Sequence, residues 1–141
     1  MVFALTTYSD NSAVKNALTS LPYYGQTTNT PRALQVTTNQ CFSASNGDRP
    51  NVENLALIVT DGVPYPDNRR QPAIEDAKAL KAKATMIAVG VTDVIDEAFL
   101  KELSSPPHQL NVNYVTAANF KALEAVSDAV VSGTCKSING K

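Results

Sequence analysis

Two short apolar runs constrain the fold of this 141-residue chain more than any other feature. Residues 54–60 (NLALIVT) and 84–91 (ATMIAVGV) have the length and β-branched content of buried strands. Between them, residues 72–83 show the 3.6-residue period of an amphipathic helix. Alternation of strand and helix predicts an α/β fold, with a doubly wound, mainly parallel sheet and helices on both faces. The residues that the helical period directs inward are Ile74, Ala77 and Leu80.

The rest of the chain continues this alternation. A β-branched and aromatic segment predicts a strand at residues 2–8, and apolar spacing predicts helices at 12–21 and at about 31–42. Ser12 is the expected N-cap of the first helix, and Pro31 suits the first turn of the second. The remaining expected elements are a helix through Phe99, Leu100 and Leu103 capped by Asp93 or Asp96, a strand at 111–115, and a final helix from Phe120 to Val130 that stops at Gly133. The sequence therefore predicts one domain over residues 1–135, followed by a short tail at 136–141.

Composition excludes several classes of function. The net charge of −1 gives no field that would attract nucleic acid or an acidic membrane. No apolar run reaches the roughly 18 residues that a membrane helix requires. We therefore expect neither a nucleic-acid partner nor membrane insertion.

Asp61 is the most informative polar residue, because it directly follows the apolar strand at 54–60. In open α/β sheets, ligands bind where the strands end, beside a reversal in strand order. Thr28 precedes a predicted helix, so it should lie on the same rim of the sheet. A hydroxyl and a carboxylate that meet there are hard oxygen donors, suited to Mg²⁺ or Ca²⁺ and poorly suited to zinc. The alternative is that Asp61 only stabilises an Asp-Gly turn and that Thr28 and Thr30 are helix caps.

Several stretches together resemble the von Willebrand factor type A domain: GQTTNTPRAL at 25–34, NGDRPNVENLALIVTDGVP at 46–64, MIAVGV at 86–91 and VNYVTAANFKALEAV at 112–126. The resemblance covers the chain from Val2 to about Cys135 and is closest to the A domains of collagens, matrilins and invertebrate matrix proteins. It implies an extracellular adhesion or matrix-binding module, and not an enzyme. The implied partner is a matrix or cell-surface protein, such as a collagen.

The same resemblance implies a metal-ion-dependent adhesion site for Mg²⁺, with Ca²⁺ or Mn²⁺ as substitutes. One threonine and one aspartate of that site correspond to Thr28 and Asp61, and a protein ligand usually completes the coordination with its own carboxylate. Residues expected to contact that ligand are Tyr24, Thr30 and Asp67.

The sequence departs from the family pattern at the D-x-S-x-S motif that follows the first, central strand. The nearest match is Asp10-Asn11-Ser12-Ala13-Val14, which makes Asp10 and Ser12 alternative metal ligands. A better alignment places residues 2–8 on the second strand of the family. On that alignment the first central strand and an edge strand are missing, and the chain is a fragment or a shortened product. We then expect the incomplete metal site to bind Mg²⁺ weakly or not at all.

Two cysteines, Cys41 and Cys135, are open to more than one interpretation. Each ends a predicted helix at the pole opposite the metal site, so a disulfide is geometrically feasible, and the implied extracellular location favours one. Alternatively, Cys135 pairs outside the domain, or both residues are thiols in a reducing compartment.

Two other functions have to be weighed against adhesion. An A domain inside the cell could instead act in the assembly of a larger complex. A strand-end aspartate also occurs in phosphotransfer domains and in metal-dependent α/β hydrolases. These enzymes would need an additional acidic pair or a D-x-D motif, and neither these nor a phosphate-binding G-x-x-x-x-G-K-[ST] loop occurs in the sequence.

Overall fold

The computed structural model describes residues 1–25, 27–92 and 95–118. Within these ranges the strands are β1 (Leu55–Thr60), β2 (Thr85–Val91) and β3 (Tyr114–Ala117). The α-helices are α1 (Asn11–Thr19), α2 (Thr30–Val36), α3 (Arg70–Lys81) and α4 (Glu97–Leu103). None of the helices in this part of the chain is long and apolar enough to cross a bilayer.

The three described strands form one parallel sheet in the order β1-β2-β3. Leu55 of β1 is in register with Thr85 of β2, and Ala88 of β2 is in register with Tyr114 of β3. The middle strand β2 is buried at every residue after Thr85, as expected for a parallel strand covered on both faces. The predicted α/β class and parallel sheet are confirmed.

Helices α2, α3 and α4 pack together on one face of the sheet. Their buried side chains meet Met86 and Ala88 of β2 and Tyr114 of β3 in the larger apolar core. The helical residues in this core are Leu34, Ala73, Ala77, Leu80, Phe99, Leu100 and Leu103. On the opposite face, a smaller cluster joins Ile87, Val89 and Val91 to Val115, with Leu55 packed against it. The predicted final helix and Gly133 lie outside the described residues.

The predicted strand at residues 2–8 is wrong, because this segment forms turns and irregular structure. Its residues are exposed or half-buried, and its Leu5 N–H donates to the Asn46 carbonyl at 3.1 Å rather than to a strand. A β-branched sequence forms a strand only where a neighbouring strand offers hydrogen-bond partners.

Helix α1 is present but is capped by Asp10, whose carboxylate accepts from the Ala13 N–H at 2.9 Å. The prediction of Ser12 as the cap is therefore wrong. None of the residues of α1 is buried, and Leu18 remains 51% exposed. The sequence of this helix has the expected apolar face, but that face does not pack against the buried core.

Two other boundaries differ from expectation. The α-helical part of α2 ends at Val36, and residues Thr37–Cys41 extend it as a π-helical turn. In this turn the Thr37 and Thr38 hydroxyls donate to backbone carbonyls four residues earlier. Strand β3 begins at Tyr114 and not at residue 111, because residues 111–113 form a turn with Asn111 at a φ of 60°. Helix α4 is capped by Asp96, which is one of its two predicted caps, whereas Asp93 lies outside the described residues.

Candidate cation and docking site

Asp61 lies where expected, directly after β1 at the carboxyl end of the sheet. Its side chain is exposed, and its carbonyl accepts from the hydroxyl of Thr92, which follows β2, at 3.3 Å. The turn after β1 is tightened by the Thr60 hydroxyl, which donates to the Gly62 carbonyl at 2.8 Å. The neighbouring ends of two parallel strands thus hold the Asp61 backbone in place.

Thr28 lies in the loop that precedes α2, and Arg69 ties this loop to the segment after β1. The Arg69 guanidinium donates to the Thr28 carbonyl at 3.4 Å and, through the same nitrogen, to the Tyr65 carbonyl at 3.0 Å. Because Tyr65 belongs to the loop that begins at Asp61, the Thr28 and Asp61 loops meet at the same pole of the sheet.

The opposite pole is marked by Lys83, just before β2, whose ammonium group donates to the Thr38 carbonyl at 2.9 Å. Residues 37–41 are therefore at the amino ends of the strands. Val14 of α1 lines a cleft of about 220 Å³ together with Phe3 and Cys41. Helix α1 therefore lies near the amino ends of the strands.

The donor set fits a hard cation only in part. The Thr28 hydroxyl and the Asp61 carboxylate are oxygen donors, and no hydrogen bond from another described residue occupies either group. Among residues 1–25, 27–92 and 95–118, no three His, Cys, Asp or Glu side chains converge as metal ligands would. Mg²⁺ prefers six ligands in octahedral geometry, so most of them would have to be water or groups of a partner.

The alternative ligands Asp10 and Ser12 have other roles in this structure. The Asp10 carboxylate caps α1, and Ser12 lies in the first turn of that helix. No contact within the described ranges joins either residue to Asp61.

Two exposed tyrosines lie close in sequence to Thr28 and Asp61, Tyr24 before Thr28 and Tyr65 in the loop after β1. Tyr24 is 74% exposed and Tyr65 is 65% exposed, so both are accessible to a partner protein. Asp67 is also exposed, at the start of the short 3₁₀ turn Asp67–Arg69. Thr30 is only 4% exposed, and its contact with a ligand stays a prediction. Asn29, rather than either threonine, caps α2 by accepting from the Arg32 N–H at 3.2 Å.

Arg70 and Asp96 form a second feature of this pole, which the sequence alone did not reveal. Arg70 donates to Asp96 at 2.7 Å, and its guanidinium lies 4.8 Å from the centroid of the Phe99 ring. The Phe99 N–H and the Arg70 guanidinium stabilise the ionised carboxylate, which lowers the pKa of Asp96. With Val63, Pro64 and Asp67, the two residues line an open cleft of about 310 Å³.

From sequence, Arg69 and Arg70 are most simply two solvated charges in a loop. Asp96 could be recognised as a cap from its position before an apolar helical segment, but no sequence signal names its partner 26 residues away. Only the tertiary structure brings these side chains together.

Cys41 has a free thiol in this structure and lies 3.5 Å from the Met1 sulfur. Cys135 lies outside the described residues, so a bridge between the two cysteines stays a prediction. The domain boundary at residue 135 is also outside these ranges.

Comparison with known proteins agrees with the resemblance. The family model described as the von Willebrand factor type A domain matches residues 1–129. The collagen alpha-6(VI) chain of Mus musculus is 36% identical over 134 residues, and matrilin-2 of Mus musculus is 34% identical over 136 residues. Each alignment covers 94% of this chain but only 5% of the collagen and 14% of the matrilin. The chain therefore corresponds to a small part of these relatives.

The fold also matches that of a solved matrix protein. The structure of proximal thread matrix protein 1 from the mussel byssus with a zinc-occupied MIDAS motif superposes with a TM-score of 0.83 at 21% identity. The match covers 95% of this chain and 33% of the mussel protein. On the family model and these relatives together, the chain belongs to the von Willebrand factor type A domain family.

Proposed function

We propose that this chain is a protein-binding module of the extracellular matrix that docks through the pole bearing Thr28 and Asp61. The contact of Arg69 with both the Thr28 and the Tyr65 carbonyls carries this proposal, because it keeps two oxygen-bearing loops on one surface. Similarity to collagen and matrilin chains favours a binding module over an enzyme.

Docking at this pole would combine apolar and polar contacts. Exposed aromatic side chains such as Tyr24 supply contact area at a low entropic cost. Asp67 supplies a charge at the rim of the same surface. A divalent cation held by Thr28 and Asp61 would add a positive charge that attracts a carboxylate of the partner.

Cation binding should be weak. Two protein oxygens leave most of the coordination shell of Mg²⁺ to water, and exposed sites of this kind are not preorganised. We therefore expect Mg²⁺ to bind in the millimolar range or more weakly, with Mn²⁺ or Ca²⁺ as alternatives.

Titration calorimetry with Mg²⁺ tests the metal part of this proposal. Asp61→Ala should abolish the weak heat of Mg²⁺ binding that the native chain gives. Asp67→Ala removes another exposed carboxylate of the same pole and should leave this heat unchanged. Micromolar binding that survives Asp61→Ala would place the metal elsewhere and contradict the proposed site.

Binding to immobilised fibrillar collagen, used as a representative matrix protein, tests the docking surface. Tyr24→Ala and Asp67→Ala should each weaken adhesion several-fold because they remove exposed contacts. Tyr8→Ala is the control, since Tyr8 is exposed but lines the cleft near Cys41. If all three variants bind alike, the docking surface is not at this pole.

An assembly role inside the cell is the alternative, and the state of Cys41 separates the two. Mass spectrometry of the unreduced protein from its native source should find Cys41 bridged to Cys135 if the chain is extracellular. Free thiols at both positions would favour the intracellular role.

A further inference from the structure

The cleft beside Arg70 and Asp96 is a feature of the docking pole that neither the cation site nor the exposed tyrosines explain. Its volume is about 310 Å³, and its lining consists of Val63, Pro64, Asp67, Arg70 and Asp96. These residues come from the segment after β1, the first position of α3 and the cap of α4. Because pockets for small ligands begin at about 300 Å³, this cleft has room for one long side chain rather than for a folded segment.

Two of the lining residues are apolar. Pro64 is fully buried, and Val63 is 38% exposed beside it. Such a surface suits methylene groups, and long basic side chains commonly lay their methylene stem along apolar surface while the charged end stays in water.

The charges of the lining leave one carboxylate without a partner. Arg70 donates to Asp96 at 2.7 Å and packs on the Phe99 ring, so its guanidinium already neutralises that carboxylate. The Asp67 side chain is exposed, and within the described ranges no other residue forms a hydrogen bond or ion pair with its carboxylate. Two carboxylates and one guanidinium give the lining a net charge of −1, which attracts a cation and repels an acid.

We infer that this cleft binds a basic side chain of the partner protein, with the methylene stem against Val63 and Pro64 and the charged end at Asp67. The inference rests on the proposed docking at this pole, because the cleft begins two residues after Asp61. It adds a requirement to the chemistry of the partner. A partner would present a carboxylate to the cation and a lysine or arginine beside it.

Nuclear magnetic resonance of the ¹⁵N-labelled full chain tests the cleft without a partner protein. The probes are capped Gly-Lys-Gly, Gly-norleucine-Gly and Gly-Glu-Gly, titrated without divalent cations and at low salt, because salt screens exposed charges. The lysine peptide should shift amide signals within residues 63–70 and 95–97 saturably in the millimolar range, since a single exposed ion pair contributes little. The norleucine peptide, which lacks the ammonium group, and the glutamate peptide should bind more weakly by a factor of about three or more.

Asp67→Asn removes the unpaired charge at nearly constant size, and Glu102→Gln is its matched control. The first variant should weaken binding of the lysine peptide about threefold or more. Glu102 is also exposed but lies at the opposite end of α4 from Asp96, so its variant should bind like the native chain. Both substitutions are at exposed positions and should leave the fold intact.

Charge reversal connects the cleft to docking on immobilised fibrillar collagen. Asp67→Lys should bind collagen more weakly than Asp67→Ala, because it repels a basic side chain in addition to removing a contact. Glu102→Lys carries the same change of charge outside the cleft and should bind like the native chain.

Two results would overturn the inference. The lysine peptide could shift the cleft signals no more than the norleucine peptide does, or Asp67→Lys could bind collagen as well as Asp67→Ala. In either case, adhesion that is still weakened by Tyr24→Ala would leave the proposed docking surface standing. Conversely, selective binding of the lysine peptide together with adhesion unchanged by Tyr24→Ala and Asp67→Ala would support a site for basic side chains and refute docking at this pole.

Discussion

At the scale of single residues, Gly90 near the carboxyl end of β2 shows how closely α4 and its preceding loop approach the sheet. A Cβ atom at this position would collide with Ile95 and would lie 2.7 Å from the Leu100 Cδ1 atom. Gly90→Ala should therefore lower the free energy of unfolding by about 1–3 kcal/mol, through overpacking of the core. Urea denaturation measures this change. Gly62→Ala is the reference, because a Cβ there meets nothing within 4 Å, and equal stabilities of the two variants would contradict the packing described.

The charge of Asp96 gives a residue-scale prediction for pH. Hydrogen bonding from the Phe99 N–H, together with Arg70, lowers the pKa of Asp96 below its ordinary value of 3.8. Stability from the ionised carboxylate is therefore fully present above about pH 4 and is lost as the pH falls through the folded-state pKa. Asp96→Asn keeps a good helix cap but removes the charge. The native chain should be more stable than this variant by about 0.2–1 kcal/mol at pH 7.

Denaturation of both proteins between pH 7 and pH 3 measures the difference. The difference in unfolding free energy between the native chain and Asp96→Asn should shrink below about pH 4. A gap that stays constant over this range would show that the charge of Asp96 contributes nothing.

At the scale of elements, α1 and α4 have the same cap but different surroundings. Asp10 accepts from the Ala13 N–H and Asp96 accepts from the Phe99 N–H, each at 2.9 Å. Helix α4 buries three apolar side chains, whereas α1 buries none. Asp96→Ala should therefore lower global stability by about 1–2 kcal/mol, and Asp10→Ala should leave the denaturation midpoint nearly unchanged while α1 loses helicity. Comparable losses for both variants would mean that α1 packs on the core.

At the scale of the whole molecule, stability should be concentrated in the sheet and in helices α2 to α4. Strand β2 lies at the centre of both apolar clusters, whereas residues 1–25 contain no buried side chain. Amide hydrogen exchange followed by mass spectrometry should find residues 86–91 exchanging only through global unfolding, and residues 1–21 exchanging orders of magnitude faster. Similar protection in both segments would show that the N-terminal region belongs to the cooperative core.

The sequence alone determined the features that depend on local pattern. An uninterrupted apolar run is enough to specify β1 and β2, and a helical period is enough to specify α3, so these elements lie within two residues of their predicted limits. Asp61 was placed at the end of β1 because it directly follows the run. The segments at 25–34 and 46–64 carry much of the resemblance that the family comparison confirms.

Only the tertiary structure decided the features that depend on residues far apart in the chain. Residues 2–8 have the composition of a strand but lack a neighbour to pair with, so they form turns instead. Arg69 reaches the Thr28 carbonyl across 41 positions, and Arg70 reaches Asp96 across 26, which no local pattern encodes. Leu57 is 51% exposed although the sequence of β1 is that of a buried strand. Local sequence sets the type of an element, whereas the partners available in three dimensions set its surroundings.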